Sequence, residues 1–141
     1  MATAKWATPG SLSSNIAGTT LNSLANGSTS AFVTYDNSSN LDLYASVTVL
    51  LGSITPTAGG SITLRVYASD GTNVPDDTGS VGGGETYTHP LTTSASAKKV
   101  VFPMVRLYPF SLRLQVTNNA GVSFAASGNA LHVRPYNESV A

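Results

Sequence analysis

The sequence predicts an all-β fold: an antiparallel β-sandwich, jelly-roll-like, with an extended N-terminal arm. Three observations predict it. Apolar residues recur with a period of two in several short segments. Clusters of Gly, Pro, Asn, Asp and Ser separate those segments at close intervals. No stretch sustains the period of a helix.

The arm comes first, "MATAKWATPGSLSSNIAGTTLNSLANG", residues 1–27. Pro9, Gly10 and Gly18 interrupt it and small polar residues dominate, so it reads as extended. Trp6, Leu12 and Ile16 stand out as apolar anchors. The arm is too poor in apolar residues to fold alone, so it either docks, on its own domain or on a partner, or stays disordered. Residues 28–141 form the sandwich domain. Its first strand is "AFVTY", Ala31–Tyr35, followed by the turn "DNSSN". "LDLYASVTVLL" places Leu41, Leu43, Ala45, Val47, Val49 and Leu51 on one face, and Tyr44 on the other. "SITLRVYAS" turns Ile62, Leu64 and Val66 inward, and Arg65 and Tyr67 outward. The long connection "SDGTNVPDDTGSVGGGE", Ser69–Glu85, follows. "ETYTHPL" and "KKVVFPMV" are strands whose Pro90 and Pro103 indicate edges or bulges. "PFSLRLQV" buries Phe110, Leu112, Leu114 and Val116 and exposes Arg113. The turn "TNNAG" suits positive φ at Asn118-Asn119. "VSFAAS" and "NALHVRPY" close the chain as a hairpin through Gly128-Asn129.

Composition narrows the function. Lys plus Arg number 7 and Asp plus Glu number 7, so the chain carries no basic excess for nucleic acid or for an anionic membrane. Charged residues make up 10% of the chain, well below the roughly 25% typical of soluble domains. A neutral surface of Ser, Thr, Asn and Gly suits a protein that works inside an assembly. Cysteine is absent, which excludes disulfides, thiolate metal sites and a cysteine nucleophile. The first residues lack the apolar core of an export signal.

The motifs argue against catalysis. Ser69–Glu85 holds four acidic residues and five glycines, yet its spacing fails the EF-hand pattern and Pro75 interrupts it. Gly82-Gly83-Gly84 is followed by Glu85 rather than the lysine of a phosphate-binding loop. The reading favoured for this loop is ordering against a neighbouring molecule, with Asp76 and Asp77 at the contact. His89 and His132 lack zinc-site spacing, and no nucleophile elbow or rigid pair of carboxylates is visible. No cofactor and no metal are expected. Binding is a better use of the outward residues. Tyr44 and Tyr67, read as lying on neighbouring strands, fit a protein interface, or a sugar platform as the alternative. Arg113 fits a partner's carboxylates.

The segments "YDNSSNLDLY" and "LHVRPYNE", with the texture of the chain from about Phe32 onward, resemble small tailed-phage virion proteins of the decoration, or cement, type. The resemblance implies a β-sandwich made in the host bacterial cytoplasm that binds the capsid exterior. It implies a homo-oligomer, a trimer being favoured, that clamps neighbouring copies of the major capsid protein. No residue map carries over from it; the arm, the strand parity and the acidic loop give the expected partner-binding residues, Trp6, Leu12, Ile16, Tyr44, Tyr67, Asp76, Asp77 and Arg113. The alternative is a carbohydrate-binding or host-attachment module of a virion.

Overall fold

The computed structural model describes residues 2–73 and 85–140. Within them the chain forms nine strands: β1 (Ala4–Trp6), β2 (Val33–Asp36), β3 (Tyr44–Ile54), β4 (Ser61–Ala68), β5 (Glu85–Pro90), β6 (Ser96–Arg106), β7 (Ser111–Asn119), β8 (Ala130–Tyr136) and β9 (Glu138–Val140). No helix occurs among the described residues. All pairings are antiparallel, and they build a four-stranded sheet in the order β2-β7-β4-β5 and a three-stranded sheet in the order β6-β3-β8. β1 and β9 form a separate ribbon.

The two larger sheets face each other as a jelly-roll-like β-sandwich around one apolar core. Alternation puts Ala45, Val47, Val49 and Leu51 of β3, Val100 and Phe102 of β6, and Leu131 and Val133 of β8 on the inner side of one sheet. Ile62, Leu64 and Val66 of β4 and Leu112, Leu114 and Val116 of β7 meet them from the other. The chain crosses between sheets from β3 to β4 and again from β6 to β7, while β3 pairs with β6 and β4 with β7. The two crossings thus run side by side, their strands paired with each other in both sheets.

The prolines sit where the missing N–H can be tolerated. Pro90 ends β5, an edge strand, and Pro103 lies in β6, also an edge. Ala45 opposes Val105 and Val47 opposes Phe102, so Pro103 and Met104 together face the single residue Ser46. That is a β-bulge, and it absorbs the unpaired proline.

Three local readings need correction. "VSFAAS" is not a strand: residues 120–129 form an irregular connection, and β8 pairs with β3 rather than in a terminal hairpin. The reason lies in side chains that replace the strand's hydrogen bonds. Asn118 Nδ2 donates to the Val122 carbonyl at 2.9 Å and Asn129 Nδ2 to the Ala125 carbonyl at 2.8 Å. Asn118-Asn119 does not take positive φ; it ends β7, and Gly121 makes the turn at φ 83°. Leu41, Leu43 and Phe110 are exposed rather than inward, because the first two precede β3 and Phe110 precedes β7.

The arm lies lengthwise on its own sandwich. The N–H groups of Ala7, Gly10, Ser13 and Ile16 donate to the carbonyls of Asn137, Pro135, Val133 and Leu131 at 2.8 to 3.0 Å. In return the Ser13 hydroxyl accepts from Val133 N–H and the Asn15 amide oxygen from Leu131 N–H. The free edge of β8 is thereby satisfied along its length. Gly10 permits the approach, since a Cβ there would lie 2.9 Å from Pro135 Cγ. Further on, Ala17 and Leu21 are buried in the common core.

Candidate functional site

The outer side of the three-stranded sheet, with the adjoining β1–β9 ribbon, carries an exposed apolar surface. Its centre is an aromatic cluster at one end of β3 and β8. Tyr44 and Tyr136 are register partners across the β3–β8 pair, and their rings stack with centroids 5.6 Å apart. The β1–β9 ribbon sets Trp6 opposite Glu138, and this places the indole edge-on to Tyr136 at 5.4 Å and to Tyr44 at 6.4 Å. Edge-to-face contacts of this kind are favourable beyond the area they bury. The Tyr136 hydroxyl donates to the Pro103 carbonyl at 2.8 Å, so the bulge in β6 helps fix the cluster. Burial, then the neighbouring Tyr44, pushes the Tyr136 phenol above its ordinary range. Trp6 nevertheless remains 56% exposed and Met104, on the bulge, 52%. Val101 extends the apolar surface along β6.

The charge on this face has one sign. Lys99 and Arg106 of β6 and Arg134 of β8 are exposed on it, and none of the outward positions of β3, β6 and β8 is acidic. Arg134 is steadied by donating to the Gly10 carbonyl at 2.9 Å, and His132 contacts the Ser13 carbonyl at 3.0 Å. The surface therefore offers aromatic and aliphatic area flanked by cations on the sheet and by Glu138 on the ribbon.

The other sheet presents a different face. Tyr67 is only 6% exposed and packs edge-on to Phe32 at 5.4 Å. The Arg113 guanidinium lies 4.9 Å from the centre of the Phe32 ring, where the ring's negative face attracts it. Thr63 pairs with Thr88, and Arg65 donates to Thr117 at 3.1 Å. This side is largely occupied by its own contacts.

The residues singled out from sequence are thus scattered. Trp6 and Tyr44 come together, joined by Tyr136, which sequence reading passed over. Tyr67 does not join them. It lies on β4 of the opposite sheet and is buried, so Tyr44 and Tyr67 form no common platform. Both residues have outward parity, but parity does not tell which sheet a strand enters. Ile16 packs against the protein's own core, whereas Leu12 is 54% exposed on the docked arm. Arg113 is half-buried over Phe32. Asp76 and Asp77 lie outside the described residues. The signal for Tyr136 was available, since "HVRPY" alternates and Tyr136 shares the outward parity of His132 and Arg134.

Among the described residues, no group of three or more His, Asp or Glu side chains is arranged to hold a metal ion. His89 and His132 are on different sheets.

No protein-family model matches the chain, and neither does any curated protein. Among solved structures, TmCBM61 in complex with beta-1,4-galactotriose superimposes with a TM-score of 0.37 at 9% identity, covering 98% of this chain and 87% of that one. A likeness this loose bears on neither ligand nor site.

Proposed function

We propose that the chain is a virion structural protein of the decoration type, which binds the outside of a phage capsid and stabilises contacts between major capsid subunits. The observation that carries the reading is the exposed outer face of the three-stranded sheet, with Met104 and Val101 among Lys99, Arg106 and Arg134, and with Trp6 beside it on the ribbon next to Glu138. Exposed aromatics and arginines around an apolar centre are the residue types that dominate protein interfaces. The surrounding cations suit a capsid surface carrying carboxylates, and they favour fast, oriented encounter. The work is adhesion, with no catalytic step. A homo-oligomer, a trimer in the simplest case, presents several such faces at once, so that modest contacts on a lattice add through effective concentration.

The test uses capsids stripped of their decoration. Purified protein is expected to bind them saturably and raise their resistance to heat or chelator. Met104→Asp and Val101→Asp, both at exposed positions, are expected to abolish binding while the isolated protein melts as before. Saturating protein that leaves the particles' stability unchanged overturns the reading.

A further inference from the structure

A concave site lies on another part of the molecule, where the two sheets part. β8 ends one sheet and β2 the other, and the cleft between them is bounded by the arm at residues 10–13 and by the turn at residues 39–42. Its volume is about 590 Å³, within the range of small-ligand sites. We propose that this cleft binds a short neutral carbohydrate, with Asp42, Asn40 and Tyr35 as its principal contacts.

The lining has the mixed chemistry that a sugar requires. Asp42 is the one charged residue in it, beside the amide of Asn40 and the hydroxyls of Ser11 and Ser39. A carboxylate with no cation beside it disfavours anions and accepts hydrogen bonds from adjacent sugar hydroxyls. The Asn40 amide both donates and accepts, as a hydroxyl does. Tyr35 and Pro135 add apolar surface for the C–H face of a pyranose ring. Burial, then the carboxylate of Asp42, pushes the Tyr35 phenol above its ordinary range, which keeps it protonated as a donor.

Asp42 is also held in place before any ligand arrives. Its backbone N–H donates to the buried Asn37 Oδ1 at 3.0 Å, and its carbonyl accepts from Asn37 Nδ2 at 2.9 Å. One carboxylate oxygen, Oδ1, accepts from Asn137 Nδ2 at 2.8 Å. Such anchoring lowers the entropy cost of binding. On its β8 side the cleft offers no edge to an extended peptide, because the arm already pairs there.

The site is separate from the proposed capsid-binding face, and the experiment keeps the two apart. Saturation-transfer NMR and calorimetry are run with neutral hexoses, N-acetylhexosamines and their di- and trisaccharides. At least one of these is expected to bind. Asp42→Asn and Asn40→Ala are each expected to weaken it by roughly tenfold or more, the scale of a lost hydrogen bond to a charged or well-placed group. Both variants should keep the parent melting temperature and still decorate capsids. The proposal is overturned if none of these saccharides binds. It is equally overturned if binding survives both substitutions, or survives them and disappears in Trp6→Ala, which would move the sugar to the aromatic face.

Discussion

Three buried asparagines hold this molecule's connections in shape. Asn37, Asn118 and Asn129 each use both ends of the amide on groups that regular secondary structure leaves unpaired. Asn118 donates to the carbonyls of Leu24 and Val122 and accepts from Ala120 N–H at 2.8 to 2.9 Å. Asn129 accepts from Gly52 N–H and donates to Ala125 and Asn22, and Asn37 ties Asp42 to the Tyr108 carbonyl. Aspartate is no substitute, because it offers no donor where two carbonyls converge. Asn118→Ala strips partners from buried backbone groups and is expected to cost about 2–4 kcal/mol. Asn118→Asp should be comparably harmful, while Asn40→Ala, on an exposed turn, should stay within about 0.5 kcal/mol. Urea unfolding of the three variants checks this; an Asn118→Ala midpoint equal to the parent's would show that the amide has no such role.

The strands and the arm were legible to different degrees. Where one face is buried and the other wet, period two is a direct imprint of the fold, so β3, β4, β7 and β8 were readable to within a few residues. The prolines of β5 and β6 announced edge strands because a missing N–H has few other places to sit. The arm was read through its apolar residues, yet its pairing with β8 runs through Gly10, Ser13 and Asn15, ahead of the buried Ala17 and Leu21. Small polar residues carry no periodic signal, because their role is fixed by which edge they meet. For the same reason the site was half legible: alternation marks an outward tyrosine, but only the assembled sheets decide that Tyr44 meets Trp6 and Tyr67 does not. This division has a measurable consequence. The double change Ser13→Ala with Asn15→Ala leaves the N–H groups of Val133 and Leu131 unpaired and should cost about 2–3 kcal/mol. Trp6→Ala removes a half-exposed ring and should cost only about 1 kcal/mol. Thermal melting of the two variants compares them directly; a larger loss in Trp6→Ala would reverse the assignment.

Across the whole molecule, a cluster beside the long 69–85 connection ties the two layers together. Glu85, the first residue of β5, accepts from the Tyr87 hydroxyl at 2.9 Å and also from the Tyr108 hydroxyl, which lies between β6 and β7. Tyr87 Oη in turn accepts from the backbone N–H of Arg106 at 3.3 Å. One carboxylate thus joins an edge of the four-stranded sheet to the crossing that leaves the three-stranded one. Both phenols are held above their ordinary value of 10.0, Tyr87 first by burial and Tyr108 first by its hydrogen bond to Glu85. The folded chain therefore keeps these protons at a pH where the unfolded chain has released them. Their contribution to stability is complete below pH 10 and is lost as pH rises through the folded-state values. Burial raises Tyr35 and Tyr136 in the same direction, so they add to the slope. The melting temperature is expected to fall steadily above about pH 10, in the range where tyrosines ionise. Tyr108→Phe cannot lose that proton and should show a shallower decline, although it starts from a lower melting temperature at pH 8 because Glu85 has lost a donor. If the variant and the parent decline in parallel, the Tyr108 proton does not contribute to the slope and its bond to Glu85 is not what sets it.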